Sequence, residues 1–191
     1  MEFFKYRTKI SPAKGRLLVS EPYLNDPNFE RTIILMCEHN DEGSFGFVVN
    51  KPSQAKIGEV MDDLKNVDAT VFIGGPVQQD TLHYLHRMAT LPDAQEIRPG
   101  VYWGGSFEQL LTLADTRQIN PADIKFFLGY SGWSAGQLHT ELEQDTWIVS
   151  QSFDDELLFD IQPERMWQRA LKNMGGRFSV YANYPADPRM N

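Results

Sequence analysis

The chain has 191 residues, 41% hydrophobic and 12% aromatic, with 18 Lys and Arg against 26 Asp and Glu for a net charge of −8. That size and mixture predict one globular domain burying roughly 70% of its unfolded surface, and they exclude disordered, collagen-like and disulfide-scaffold classes. The acidic balance repels phosphate backbones and disfavours DNA as a partner, and no apolar run reaches the ~18 residues of a membrane span.

Residues 1–7 lack the apolar stretch of a signal peptide, so a cytoplasmic location without membrane contact is expected. Lys5, Arg7, Lys9 and Lys14 make residues 1–14 a basic arm, and 15–191 reads as one domain because neither linker nor repeat interrupts it. Short β-rich runs follow at 16–20, 32–37 and 46–50, and Asn40-Asp-Glu-Gly43 supplies the tight reversal of a hairpin over 32–50. Within this region stands a polar constellation: Asp26, Arg31, Glu38, His39 and Asn50. Two readings stand. His39 beside an acid could do acid-base work while Arg31 orients an anion, or Asp26 and Arg31 could pair to fix the loop and Asn50 close a turn before Pro52. Cys37, the single cysteine, sits in an apolar strand and reads as a small packing residue.

Ile57, Val60, Met61 and Leu64 share a helical face, and 70–74 reads as the next strand. Gly74-Gly75 after that strand permits close main-chain approach, which suits either a turn or an anion cradle. His83 and His86 fall on opposite faces of an alternating segment, and no spacing supplies further ligands, so no metal is expected. After a strand at 100–104, Ser106 with Gln109 fits a capping box opening a helix with Phe107, Leu110, Leu111 and Ala114 inward.

The strand 125–129 leads into Tyr-Ser-Gly-Trp-Ser-Ala-Gly-Gln, where Ser131 invites comparison with a hydrolase nucleophile elbow. The motif fails: Trp133 stands where glycine belongs, and His139, the only downstream histidine, lies in the following helix. Gly132 to Gly136 could form an anion-binding nest, with Trp133 and Gln137 beside it, or a plain glycine turn. Ser134 with Gln137 fits a second capping box. Residues 126–164 then contain no Lys or Arg and eight acids: a partner surface, an internal match for the basic arm, or a solvated face. A strand at 147–150 precedes a helix from Pro163 to Gly175 with Trp167, Ala170, Leu171 and Met174 inward, and the tail from Gly176 reads as a final strand before Pro185. Strands clustered early, with helices scattered later, fit α+β better than regular βαβ alternation.

Several segments in order then carry a resemblance: Gly15-Arg-Leu-Leu-Val-Ser-Glu-Pro-Tyr-Leu-Asn-Asp-Pro-Asn-Phe-Glu-Arg31, Glu38-His39, Gly43 through Pro52, Gly74-Gly-Pro-Val77, Leu85-His86, Tyr102-Trp-Gly-Gly105, Gly129-Tyr-Ser-Gly-Trp133 and Gly136-Gln-Leu138 with Glu141 and Trp147. Together they resemble the YqgE/AlgH family over nearly the whole chain, the first fifteen residues excepted. The resemblance implies an α+β domain whose bifurcated mixed sheet curls into a barrel-like core with helices outside. It implies a bacterial protein carrying the label of transcriptional regulator, and it transfers no catalytic residues. The family pattern often has Ala where Ser131 stands, which weakens the nucleophile reading further.

The sequence and the resemblance together predict a cytosolic regulatory or binding protein acting through a protein partner or small anionic ligand, with no cofactor. Its candidate binding residues are Asp26, Arg31, Glu38, His39, Asn50, Gly74, Gly75, Gly132, Trp133 and Gln137. The alternative is a hydrolase or transferase of a small anionic substrate, built on Arg31, His39 and the glycine turns. The oligomeric state stays open.

Overall fold

A computed structural model describes residue 8 and residues 10–186. Lys5, Arg7 and Lys9 of the expected basic arm lie outside the described residues. Nearer the domain, Thr8 Oγ1 donates to the Val149 carbonyl at 3.0 Å and Gly15 N to that of Met36 at 2.8 Å, so chain before the first strand is laid along the sheet.

That sheet begins with β1 (Leu17–Ser20), β2 (Ile33–Asn40) and β3 (Gly43–Val48). The expected reversal joins β2 to β3, with Asn40 Oδ1 accepting the amides of Glu42 and Gly43 at 2.9 and 3.2 Å. β4 (Pro52–Lys56), β5 (Thr70–Ile73), β6 (Val77–His86), β7 (Gln95–Arg98), β8 (Val101–Trp103), β9 (Ile124–Ser134) and β10 (Trp147–Ser150) complete it. The main path runs β10-β1-β2-β3-β9-β6-β8-β7, with β4 paired to β5 and β5 to β9. All pairings are antiparallel except β5 with β9.

β9 is where the sheet divides. Its first half lies between β5 and β6, and its second half pairs with β3. The change of neighbour needs main chains to cross at very short range. Gly75 has φ +155°, and a Cβ there would lie 2.2 Å from the Tyr130 carbonyl. Gly129 has φ +70°, and a Cβ there would lie 2.7 Å from the Val77 carbonyl. Only glycine fits such a junction, so Gly75 is explained by the fork itself.

Both sheet faces are covered, which is why the central strands read as continuous apolar runs rather than alternating ones. On one face Leu17, Val19, Ile33, Leu35, Phe47 and Phe127 pack under α4 (Asp155–Phe159), α5 (Pro163–Met174) and α6 (Gly176–Tyr181). On the other, Leu18, Ile34, Met36, Trp133 and Trp147 pack with Leu138 of α3 (Gln137–Glu143). A second lobe gathers Val71, Tyr84, Leu110, Ala114 and Phe126 beneath α1 (Ile57–Val60) and α2 (Phe107–Asp115).

Several local expectations are corrected. The helix read over 57–64 breaks at Met61, extended at φ −143°, and continues as a 3-10 turn over Asp62–Leu64, which buries Ile57 and Leu64 but leaves Val60 exposed. Phe107 also stays 36% exposed, because α2 buries Leu110 and Ala114 instead. The tail is helical, not extended: in α6 the rings of Phe178 and Tyr181, three residues apart, meet edge to face at 5.8 Å and return the chain to the core. β4, β7 and α4 were not legible as periodic runs.

Candidate functional site

A cleft of about 590 Å³ opens on the face of β3, β9, β6 and β8. Its walls follow from register. Phe45 stands opposite Glu38 on β2 and Gly132 on β9, and residues directly opposite in antiparallel strands share a face. Tyr130 lies two residues before Gly132 on that same face, and the adjacent strands add His83 and Trp103.

A bulge brings Glu38 here. Met36 pairs with Gly46, but Glu38, not Cys37, pairs with Phe45, so the extra residue turns Glu38 onto the cleft face beside Phe45. Gly132 leaves the floor without a side chain; a Cβ there would sit 3.3 Å from the Tyr130 ring.

The rings form a closed circuit. Phe45 meets Trp103 at 5.0 Å and Tyr130 at 6.0 Å, with planes inclined by 64° and 77°. His83 meets the same two rings at 6.4 and 6.0 Å. Phe47 closes the base, 5.1 Å from His83. These enclosed apolar surfaces desolvate His83 and lower its pKa, keeping the imidazole neutral near pH 7. Its Nε2 is buried and finds no hydrogen-bond partner among the described residues. Glu38 and Glu42 supply the charge at the rim, and none of the described lining residues is Lys or Arg.

Of the residues expected to bind, Glu38, Gly132 and Trp133 line this cleft. Trp133 does so by main chain. Its ring faces the opposite core, where it packs with Val48 and Trp147 and donates Nε1 to Glu141. Gln137 holds the start of α3, its Oε1 accepting from Ser134 N at 3.0 Å while its Nε2 donates to Glu141. The helix itself opens at Gly136, φ +77°, so Ser134 is not its cap.

The others are distributed elsewhere. Asp26 accepts the amide of Asn28 at 2.9 Å and closes a loop. Asn50 accepts from Ile33 N and donates to the Arg31 carbonyl, stapling β2 to β3 from within. Arg31, at φ +48°, lies over the Trp167 ring at 4.7 Å and donates to the Tyr184 carbonyl at 2.6 Å. Those contacts tie the loop to the C-terminal helices, and the expected Asp26–Arg31 pair does not form among the described residues. Gly74 donates to Leu128 O and accepts from Val48 N at the fork. His39 is exposed on the hairpin, its Nδ1 2.6 Å from Ser44 Oγ. Ser131 is wholly buried and donates to Gly74 O at 3.1 Å, which rules out an exposed elbow nucleophile. Cys37 is buried and its thiol is pushed far up by desolvation.

His83 and His86 do lie on opposite faces, as their alternation predicts. His86 is buried against Tyr102, with Nε2 2.8 Å from Gly104 O and Nδ1 accepting from Met88 N at 3.1 Å, and burial lowers its pKa. No cluster of three potential metal ligands occurs among the described residues, and no helix among them is long and apolar enough to cross a membrane.

The comparisons with known proteins agree with this architecture. A family model described as AlgH-like matches residues 17–179. The chain belongs to the AlgH-like family. Relatives called UPF0301 protein from Chlorobaculum parvum and Cytophaga hutchinsonii are each 46% identical, over 93% of this chain and 95% and 98% of theirs. Among solved structures, the solution structure of AlgH from Pseudomonas aeruginosa is 31% identical with a TM-score of 0.70, covering 94% of this chain and 98% of that one. The X-ray structure of protein DIP2367 from Corynebacterium diphtheriae shares the fold at 20% identity and a TM-score of 0.75, covering 93% of this chain and 95% of that one.

The aromatic circuit has no local signature in this AlgH-like sequence. Phe45, His83, Trp103 and Tyr130 sit on four strands far apart in sequence. Their one sequence signal is alternation, which places Phe45 with Phe47 and Tyr130 with Gly132, and strand order is needed to join those rows.

Proposed function

We propose that this chain is a cytosolic regulatory protein that works by holding a small ligand in the aromatic cleft, without chemistry of its own. One observation carries the reading: Phe45 and His83 each contact both Trp103 and Tyr130 around an open volume of about 590 Å³. A concave apolar site with a few polar groups is the usual form of a small-molecule site. Glu38 and Glu42, with no Lys or Arg in the described lining, favour a neutral or positive ligand over the anion that Arg31 and the glycine turns suggested. A thermal-shift screen with neutral, cationic and anionic small molecules tests the reading. A ligand should raise the melting temperature of the natural chain but not of Trp103→Ala or Tyr130→Ala; a screen in which no compound acts defeats it.

The enzyme alternative has one observation in its favour. Ser44 Oγ lies 2.6 Å from His39 Nδ1, and in the tautomer protonated at Nε2 this is the contact a base makes with a serine nucleophile. Against it, no described carboxylate contacts the far side of that imidazole, and Glu38 is engaged with Asn40 Nδ2 at 2.8 Å. A fluorophosphonate probe that labels Ser44 in the natural chain, but not in His39→Ala, would establish this second reading.

A further inference from the structure

We infer that the aromatic cleft takes a small organic cation, an alkylated ammonium group carried on a short apolar body. The inference rests on the cleft being a ligand site and adds the chemistry of what enters it.

The first argument comes from how the rest of the molecule uses its cations. Arg31 lies over Trp167, Arg87 over Phe159, Arg98 over Phe153 and Lys125 over Phe72, at 4.7, 4.6, 3.7 and 4.4 Å. Aromatic faces attract cations through the ring quadrupole, and these four rings have been given one. The rings of Phe45, Trp103 and Tyr130 have none among the described residues, although they stand together at the edge of an open cleft.

The second argument is the shape and sign of the walls. Phe45 is inclined to Trp103 by 64° and to Tyr130 by 77°, so the wall is not a flat stacking surface, which suits a rounded alkylammonium better than a flat ligand. Glu38 and Glu42 add negative potential at the rim, and neither forms an ion pair among the described residues. A charged histidine would oppose a cation, but the burial of His83 keeps it neutral near pH 7.

The test uses the full chain and reads tryptophan emission. Trp103 is the part-exposed tryptophan; Trp133, Trp147 and Trp167 are 6%, 2% and 2% exposed. The probes are choline and its neutral isostere 3,3-dimethyl-1-butanol. Choline should change the emission saturably and bind about tenfold or more tightly than the alcohol. Calorimetry on the double variant Glu38→Gln, Glu42→Gln, which alters exposed side chains only, should show choline weakened several-fold with the alcohol unaffected.

Other outcomes overturn the inference. If the alcohol, or an anion such as benzoate, binds as tightly as choline, the cleft is a ligand site but not a cation site. If a lysine- or arginine-bearing peptide binds and choline does not, the occupant is a partner's side chain. If nothing of any charge binds, both the inference and the proposed function fail.

Discussion

Trp133 and Trp147 stand edge to face, ring centroids 6.0 Å apart at 84°, and both direct their indole N–H at the same oxygen of Glu141, at 2.8 and 2.7 Å. The other carboxylate oxygen accepts from Gln137 at 3.0 Å. One half-buried acid thus ties α3 to β9 and β10, and a sequence neighbourhood that resembled a ligand nest is a structural tie.

Removing that acid should be costly. Glu141→Ala leaves two indole donors in a largely buried site without partners, and hydrogen bonds to charged groups contribute about 1.5–3 kcal/mol each. We expect a loss of about 2–4 kcal/mol for Glu141→Ala and a smaller loss for Glu141→Gln, whose carbonyl still accepts. Chemical denaturation measures both. The same geometry predicts that Trp133→Phe lowers stability while leaving cleft binding intact, because only the main chain of Trp133 faces the cleft.

Arg87 pairs with two of the eight acids in the stretch 126–164, Asp155 and Asp160. Its guanidinium lies within 3.5 Å of carboxylate oxygens of Asp123, Asp155 and Asp160 and over the Phe159 ring. The hydrogen bond to Asp160, followed by the fields of all three acids, raises its pKa. The pairs are part-exposed, so solvent screens them and the expected loss for Arg87→Met is modest, about 1–2 kcal/mol, decreasing in high salt. A salt series of melting curves checks it; a loss that does not change with salt would show that packing on Phe159, not charge, holds the side chain.

How much of this was legible follows from the range of each interaction. Strands β1, β2, β5, β8 and β10, the hairpin turn, and the start and end of α5 depend on apolar runs and caps a few residues long, so local sequence predicts them. The cleft depends on a bulge at Cys37 and on β9 changing partners at Gly129, neither of which leaves a local pattern. Arg87 meets Asp160 across 73 positions, and the buried Lys125 reaches a carbonyl 76 positions away. Arg31 and His39, conspicuous in sequence, proved separate because their side chains point to a helix and to a hairpin edge rather than to one another.

Two glycines separate fold from site. Gly75→Ala would place a methyl group 2.2 Å from the Tyr130 carbonyl at a φ of +155°, and neither main chain can withdraw without opening the fork. A loss above about 3 kcal/mol, or no folded protein, is expected. Gly132→Ala meets only the edge of the Tyr130 ring at 3.3 Å. That variant should fold, with a melting temperature within a few degrees of the parent, and should bind cleft ligands more weakly. Equal behaviour of the two variants would contradict the division.

Acid should destabilise the protein through His83 and His86. Burial lowers both pKa values below the ordinary 6.5, so the unfolded chain takes up protons first as pH falls. Their contribution is complete above about pH 6.5 and is lost below it, levelling off only beneath the folded-state values. His83→Phe keeps the aromatic wall and removes one titrating group, so its stability should fall less steeply between pH 6.5 and 5 than that of the parent.

Lys125 works the same way at higher pH. It is 8% exposed, over Phe72 at 4.4 Å, and its Nζ donates to Val49 O at 3.2 Å. Desolvation outweighs the attraction of Asp160 and lowers its pKa from 10.5 to about 7. An unfolded lysine is protonated below about pH 10.5, whereas the folded one resists until about pH 7, so the parent loses stability as pH falls across that window and no further beneath it. Lys125→Met keeps the length of the side chain and removes the titration, at the cost of one hydrogen bond to Val49. At pH 7 the variant should be more stable by about 1–3 kcal/mol, since burying charge without a close counter-ion is unfavourable. Its advantage should shrink steadily as pH rises toward 10.5, and can reverse only above that value, where the parent amine is neutral in both states and still donates to Val49. Denaturation of both proteins at pH 7, 8.5 and 10 decides the matter: a difference that stays constant with pH would mean that Lys125 is charged in the folded chain, stabilised there by Phe72 and Val49.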